Sequence, residues 1–513
     1  MTRRHRLNWD TLFALDTLLG RVARWLREQG AEAYLVGGSV RDALLGRAPH
    51  TFHDLDFAVP ADGMALARRL ANQLGGAFFP LDSERDTGRV VLIEPDGTRF
   101  YLDFARWRGD SLRDDLADRD FTINAIALGV GQRDAALIDP FNGQADLAAG
   151  IVRAVSEQSF AKDPLRALRA ARMEAAFGFR IEPHTEALLR QAIPRLDRVS
   201  RERVRDEVYR ILAAPGAAGH IRRLDGLGLL GAILPEITAL KGVTQSSPHR
   251  FDVYGHTLQV LEALEGLYAW LWPEAGYSPL AAGMMARLEE WRDELRDHLS
   301  QPTSGDRDRA TLLKLAALLH DAGKPQTRSQ DESGRVRFWG HEKSGAEIAA
   351  RALRRLRFSG EEVTLARRVV AHHLRPLHLS RAEKVTRRAV YRFFRDTGEA
   401  GVDVVLLSLA DHMGITAEWP RAADVAAILL EAYFYRRREI ISPPKLVGGR
   451  DLMAEFDLAP GPRIGELLER VREAQAEGRI SKRQEALSLV SEILKEHPVL
   501  PQETPYGILE IES

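Results

Sequence analysis

The sequence predicts an α+β protein, with a mixed head up to about residue 150 and an all-helical remainder. Two observations predict this. Short β-like runs mix with helical stretches through the first part, and from Ser156 onward apolar residues recur only at three and four spacing. A third observation bounds the organisation: 513 residues are too many for one compact core, so several domains are expected.

The first 29 residues alternate apolar side chains with Arg and Asp at helical spacing and lack a continuous apolar stretch. They predict a helix, not a signal peptide or a membrane span, and no other apolar run approaches spanning length. The expectation is a soluble cytoplasmic protein with no membrane partner. Tyr34-Leu35-Val36 reads as a buried strand that ends in Gly37-Gly38-Ser39. Two glycines let the backbone approach a phosphate closely before a helix opens at Ser39, where Asp42 sits at capping-box spacing. Residues 53–59 read as a second strand in which Asp54 and Asp56 share one face and Leu55 and Phe57 take the other. Paired oxygen ligands at that spacing suit Mg²⁺ shared with substrate phosphates. A helix follows over Gly63–Leu74, then strand-like runs at 77–81, 90–93, 100–104 and 135–138, with Asp103 in the third of these.

Helices are predicted at 165–177, 185–192 and 200–213. Residues 300–308 read as a surface loop. Residues 441–449, with Pro443-Pro444 and Gly448-Gly449, read as a linker before a helical tail in which Pro462 starts a helix through Gln475. The organisation expected is a head over 1–150, a helical neck over 151–240, a third domain over 241–440 and a tail over 441–513.

Composition narrows the chemistry. The formal net charge is −1, so any basic binding surface must be local. The chain has no cysteine, which excludes disulfides, thiolate-zinc sites and a thiol nucleophile, and a metal must therefore use His and carboxylate.

The blocks 35–42, Asp54-Leu55-Asp56, 119–125 and 163–172 occur in order. Together they resemble the signature blocks of the bacterial-type class (class II) of tRNA nucleotidyltransferases and poly(A) polymerases, within the polymerase-β-like nucleotidyltransferase superfamily. The resemblance implies a polymerase-β-like head, an all-α neck and attack of an RNA 3′-hydroxyl on the α-phosphate of CTP or ATP. Asp54 and Asp56 then hold Mg²⁺, and Asp103 is the third catalytic carboxylate. Gly37, Gly38, Ser39 and Arg41 match triphosphate-contacting positions, and Arg119, Asp120 and Asn124 fall in a further nucleotide-binding block. Asp163 and Arg166 match the positions that read the base, with Arg169 and Arg172 extending the contact along the same helix. The implied partners are the tRNA acceptor end, CTP and ATP.

Two departures concern base choice: Lys162 stands where the family often has an acidic residue, and Asp118-Arg119-Asp120 replaces Arg-Arg-Asp. A third concerns the product. Only about six residues, 109–114, separate Arg108 from Asp115, too few for the mobile loop carried by many enzymes that complete CCA. That shortening resembles variants that add only CC. Full CCA addition, A addition and poly(A) synthesis are the alternatives within this class.

His256, His320-Asp321 and Asp411 form the order that resembles the HD phosphohydrolase superfamily. Imidazole with carboxylate suits Mn, Fe, Ni, Co or Mg, and His341, His372 and His373 are further ligand candidates. Lys324 is placed to steady a phosphate. The alternatives outside nucleotidyl transfer are a protein that acts chiefly as an HD phosphohydrolase on RNA ends or nucleotides, and an RNA-binding scaffold, against which the complete carboxylate sets argue. Monomer and homodimer are both left open.

Overall fold

The computed structural model describes residues 17–47, 53–130, 136–275, 286–415 and 420–496. It divides into two compact units, Met1–Pro235 and Glu236–Ser513.

The first unit opens with helix α1 (Leu18–Glu28), whose N-cap Thr17 accepts from the Gly20 amide at 3.0 Å. Strand β1 (Ala33–Val36), helix α2 (Gly38–Leu44), strand β2 (Asp54–Val59) and helix α3 (Gly63–Leu74) follow, then strands β3 (Ala77–Asp82), β4 (Thr87–Ile93) and β5 (Arg99–Arg106). A short helix α4 (Leu112–Ala117) and strands β6 (Ala127–Val130) and β7 (Leu137–Ile138) complete a seven-stranded sheet of order β3-β4-β5-β2-β1-β6-β7. Within this sheet, among the described residues, only β2 and β5 pair in parallel.

Alternation along the strands separates core from cleft. Leu55 and Phe57 of β2 and Leu102 and Phe104 of β5 pack under α1 and α3, and the Phe57 and Phe104 rings stack at 4.6 Å. The intervening Asp54, Asp56 and Asp103 therefore project from the opposite face. Helix α3 falls residue for residue where the helical spacing puts it, and β2 and β3 lie within one residue of their predicted bounds.

The helical neck is not wholly strand-free. β8 (Ile151–Val152) pairs in parallel with β9 (Arg180–Ile181), flanking α5 (Arg166–Phe177). Helix α6 (Arg201–Ala213) packs on α5.

The second unit is built around α7 (Val253–Leu271), α8 (Arg309–Leu319), α9 (His341–Arg355), α10 (Gly360–His372) and α11 (Gly401–Ile415). Buried Lys314 of α8 donates to Glu265 of α7 at 2.9 Å. The segment read as a surface loop is an antiparallel hairpin of β10 (Pro302–Ser304) and β11 (Arg307–Asp308), and a second hairpin joins β12 (Arg328–Gln330) to β13 (Val336–Phe338). These strands of two or three residues are too short for apolar alternation to register. Near the end, α12 (Pro462–Glu477) starts at the expected proline, and an apolar cluster around Leu452, Leu467 and Val490 forms its core. Among the described residues no helix is long and apolar enough to cross a membrane.

Candidate functional site

The first site is a cleft of about 1020 Å³ in the first unit, floored by the polar face of β2 and β5. Such a volume is ample for a nucleoside triphosphate. Asp56 and Asp103 lie side by side in the parallel register, with Asp54 two residues along β2. Crowding by protein, with Asp103 and Asp54 adding repulsion, pushes the Asp56 carboxyl above its ordinary value against the pull of Arg119. Three carboxylates converging in one cleft are a donor set that could hold a divalent cation. Arg89, across the β4–β5 pair, forks onto Asp103 with two hydrogen bonds of 2.7 Å. Sequence alone shows no sign of this partner, because only the strand register brings it there.

Gly37 has φ +78, and a Cβ there would approach Arg119 Nη1 to 3.0 Å, so the turn into α2 requires glycine. The helix begins one residue earlier than Ser39, and Ser39 does not cap it. Its hydroxyl donates instead to the Asp54 carbonyl at 2.7 Å, tying α2 to the start of β2. The capping-box reading fails because the glycine turn fixes the helix start.

Buried Arg41 donates through Nη1 to Asn124 Oδ1 at 2.7 Å, pairs with Asp42, and lies 4.6 Å from the Phe177 ring. Asn124 Nδ2 donates to Asp120 at 2.9 Å, and Arg169 Nη1 stands 3.5 Å from the same carboxylate. Burial works against the Asp120 charge, but Arg169, Asn124 and Arg166 outweigh it and hold its carboxyl below the ordinary range. Arg172 donates to buried Glu207 of α6 at 2.6 Å, and Arg169 Nε is 3.4 Å from the same residue. Arg41, Asn124, Asp120, Arg169, Glu207 and Arg172 thus form one chain of polar contacts along the cleft wall. Glu207 is an addition to the sequence reading, since a lone Glu on a helix carries no signal of such a role.

Asp163 and Arg166 are near one another but do not pair. Arg166 donates to the carbonyls of Arg119 (3.0 Å) and Asp118 (2.6 Å), while Arg203 of α6 holds Asp163 at 2.6 Å. Both border an adjoining cavity of about 560 Å³. Lys162, the departure noted above, donates to Asp118 at 2.6 Å.

The second site is a buried cluster in the second unit. His256 comes from α7, His320 and Asp321 follow α8, His341 opens α9, His373 follows α10 and Asp411 lies on α11. His256 Nε2 is 2.9 Å from Asp411 Oδ1, His320 Nε2 is 3.2 Å from Asp321 Oδ2, and His341 Nε2 is 3.4 Å from Asp321 Oδ1. Lys324 Nζ is 2.7 Å from Asp321 Oδ2. A Cβ on Gly323 would sit 2.2 Å from the His341 carbonyl, so α9 reaches the cluster only over a glycine.

His320, His341 and His373 each use Nδ1 on a backbone carbonyl (Ala317, Phe338 and Val370) at 2.7–2.8 Å. Donation at Nδ1 turns Nε2 inward as a lone pair. Nε2 of His256, His320 and His341 is in each case buried without a well-formed hydrogen bond. Unsatisfied buried acceptors are costly unless an ion completes them. One set of potential ligands is His256, His320 and Asp411, and another is His320, Asp321 and His373. Burial, reinforced by His320 and His341, pushes His373 down to about 3, which keeps it neutral as a ligand must be. Of the two adjacent histidines the structure brings His373 to the cluster. His372 is half-buried, with burial and then Arg375 lowering its pKa and Asp396 opposing.

Four family models match the chain: Poly A polymerase head domain over 33–153, Probable RNA and SrmB- binding site of polymerase A over 178–241, HD domain over 253–413, and tRNA nucleotidyltransferase domain 2 putative over 343–490. The chain is 37% identical over 480 residues to an A-adding tRNA nucleotidyltransferase of Deinococcus radiodurans, covering 91% of this chain and 96% of that protein. It belongs to the class II tRNA nucleotidyltransferase and poly(A) polymerase family. A CC-adding tRNA nucleotidyltransferase of Thermus thermophilus is 35% identical over 470 residues, covering 89% of this chain and 92% of the relative. Among solved structures, a CCA-adding enzyme in complex with ATP shares the fold at TM-score 0.61 and 22% identity, covering 97% of this chain and 98% of that one. The Thermotoga maritima CCA-adding enzyme complexed with tRNA does so at TM-score 0.56 and 22% identity, covering 93% and 95%. As a member of this family the chain is a nucleotidyltransferase with an HD domain.

Proposed function

We propose that the chain adds cytidine to the 3′ end of tRNA without a template, stopping at CC and leaving the terminal A to a second enzyme. Nucleotide addition to tRNA 3′ ends is the activity common to its A-, CC- and CCA-adding relatives. The observation that carries the finer reading is the tight connection after β5. Trp107 N donates to Val59 O at 2.8 Å, Arg108 N to Asp115 Oδ1 at 3.2 Å and Asp110 N to Asp114 Oδ2 at 3.2 Å, and Ser111 caps α4. A segment so tied leaves no slack for a lever that re-aims the site from C to A. CC-adding relatives at 35%, 34% and 29% identity are consistent with this. The D. radiodurans relative favours A addition as the second reading.

In this account Asp54 and Asp56 would hold Mg²⁺, which when bound supplies charge neutralisation on the triphosphate and a more acidic primer hydroxyl. Asp103, clamped by Arg89, orients or deprotonates that hydroxyl. Arg41 and Arg119 flank the glycine turn where the triphosphate lies. Asp163 accepts from the exocyclic amine of cytosine, and Arg166 donates to its ring acceptors.

The His–Asp cluster of the second unit would hold a divalent cation from among Mn, Ni, Co, Fe and Mg, and the ion, when bound, would supply an activated water for phosphate-ester hydrolysis. The head, neck, HD and tail division is the domain organisation we attach to this reading. Sequencing the 3′ ends of a tRNA lacking CCA, after incubation with CTP and ATP together, tests the product. Ends in CC support the proposal; ends in CCA refute the two-enzyme division, and A added only to a CC-ended tRNA supports the second reading.

A further inference from the structure

Two large aromatic side chains stand exposed beside the His–Asp cluster. Trp339 is 78% exposed and Phe251 is 48% exposed. A tryptophan in open solvent gains nothing for the fold and leaves a flat ring face free to stack on a planar partner. Trp339 lies between β13 and His341, and Phe251 lies just ahead of α7, which carries His256.

The two segments are stitched to each other and to the cluster. Val336 N donates to Ser246 Oγ at 2.8 Å, Arg335 Nη2 to Ser247 O at 3.1 Å, and Gln245 Nε2 to Phe251 O at 3.4 Å. Lys324 Nζ donates to Gln245 Oε1 at 2.6 Å while standing 2.7 Å from Asp321, and it lies 5.4 Å from the Phe338 ring. One cationic side chain thus links the aromatic rim to the candidate metal ligands. Arg328 and Arg335 lie on the same hairpin, whose turn also carries Asp331 and Glu332.

We infer that this rim is a nucleobase-stacking subsite, with Trp339 as the platform and Phe251 as the flanking wall. The ligand is a nucleoside phosphate ester whose phosphate lies toward Lys324 and whose base stacks outside. Every base offers a π-face, so the subsite selects for a base without selecting which one. The inference rests on the metal-centre reading proposed above.

The test is calorimetric titration of full-length, Mn²⁺-loaded protein with adenosine 3′-monophosphate, ribose 5-phosphate and inorganic phosphate, with the Asp321→Asn variant supplying the baseline from the other unit. Wild type should bind the nucleotide about tenfold tighter than ribose phosphate. Trp339→Ala should abolish that difference and leave inorganic phosphate binding intact, and Trp339→Phe should restore most of it. An oligoribonucleotide ending in a 3′-phosphate with the same Trp339 dependence supports the subsite on an RNA end; dependence confined to the mononucleotide supports it on free nucleotides. Unchanged nucleotide affinity in Trp339→Ala, with phosphate still bound, overturns the subsite alone. Phosphate binding that is identical in wild type and Asp321→Asn overturns the metal-centre reading and the subsite with it.

Discussion

Arg89 faces Asp103 across the β4–β5 pair and closes on both carboxylate oxygens, Nε to Oδ1 and Nη2 to Oδ2, each at 2.7 Å. The same Asp103 is the register partner of Asp56 on its other side. One guanidinium therefore offsets part of the repulsion among three carboxylates and fixes the orientation of the third.

Asp103→Asn is expected to lower kcat for cytidine addition by about a hundredfold or more, the scale of a lost proton-transfer group. Arg89→Ala should cost less and should also move the acid limb of the kcat/KM profile to higher pH. Without the cation, Asp56 holds its proton further up the scale, because Arg89 is one of the charges that pull its carboxyl down. A profile unmoved by Arg89→Ala contradicts the role given to the pair.

Arg166 spends two donors on the Asp118 and Arg119 carbonyls, which fixes the plane of its guanidinium at the position we propose reads the base. Lysine lacks that fork. Arg166→Lys should raise KM for CTP and increase incorporation of UMP, with kcat less affected, in single-nucleotide addition assays.

How far such features are legible in sequence depends on their range. β2, with its alternating Asp54-Leu55-Asp56-Phe57, and α3 are local patterns and are read correctly. The Arg89–Asp103 and Arg203–Asp163 pairs depend on strand register and helix packing, and no local pattern encodes them. Ser39 is misread as a cap because the positive φ of Gly37 starts the helix before it. His372 and His373 are adjacent at the end of α10, and only the exact helix rotation decides that His373 faces His320, with ring centroids 5.1 Å apart.

Buried Asp403 accepts from Arg309 Nη2 at 2.7 Å and stands 3.3 Å from His298 Nε2. Burial opposes its charge, yet His298 and Arg309 bring its carboxyl down to about 2 from 3.8. A depressed carboxylate contributes stability that is fully present above its unfolded pKa and is lost as pH falls through the folded value. Asp403→Asn should therefore destabilise the second unit by about 3 kcal/mol near neutrality, the cost of leaving Arg309 buried without its counter-charge. In denaturant titrations the gap from wild type should narrow from about pH 4 down to about pH 2.

Asp321→Asn removes the carboxylate that His320, His341 and Lys324 surround. Wild type is expected to retain a divalent metal through gel filtration and the variant to lose it, as measured by elemental analysis. Full retention of metal by the variant contradicts the assignment of the cluster as a metal centre.

The most direct measurement is the rate and end point of labelled CMP transfer from CTP to a tRNA lacking CCA, in Mg²⁺, for wild type and for Asp54→Asn and Asp56→Asn. Wild type is expected to extend the tRNA by two cytidines and stop, ATP present or not, and each variant to be almost inactive while still binding tRNA. Cytidine transfer undiminished in both variants, or transfer of AMP alone by wild type, would contradict this.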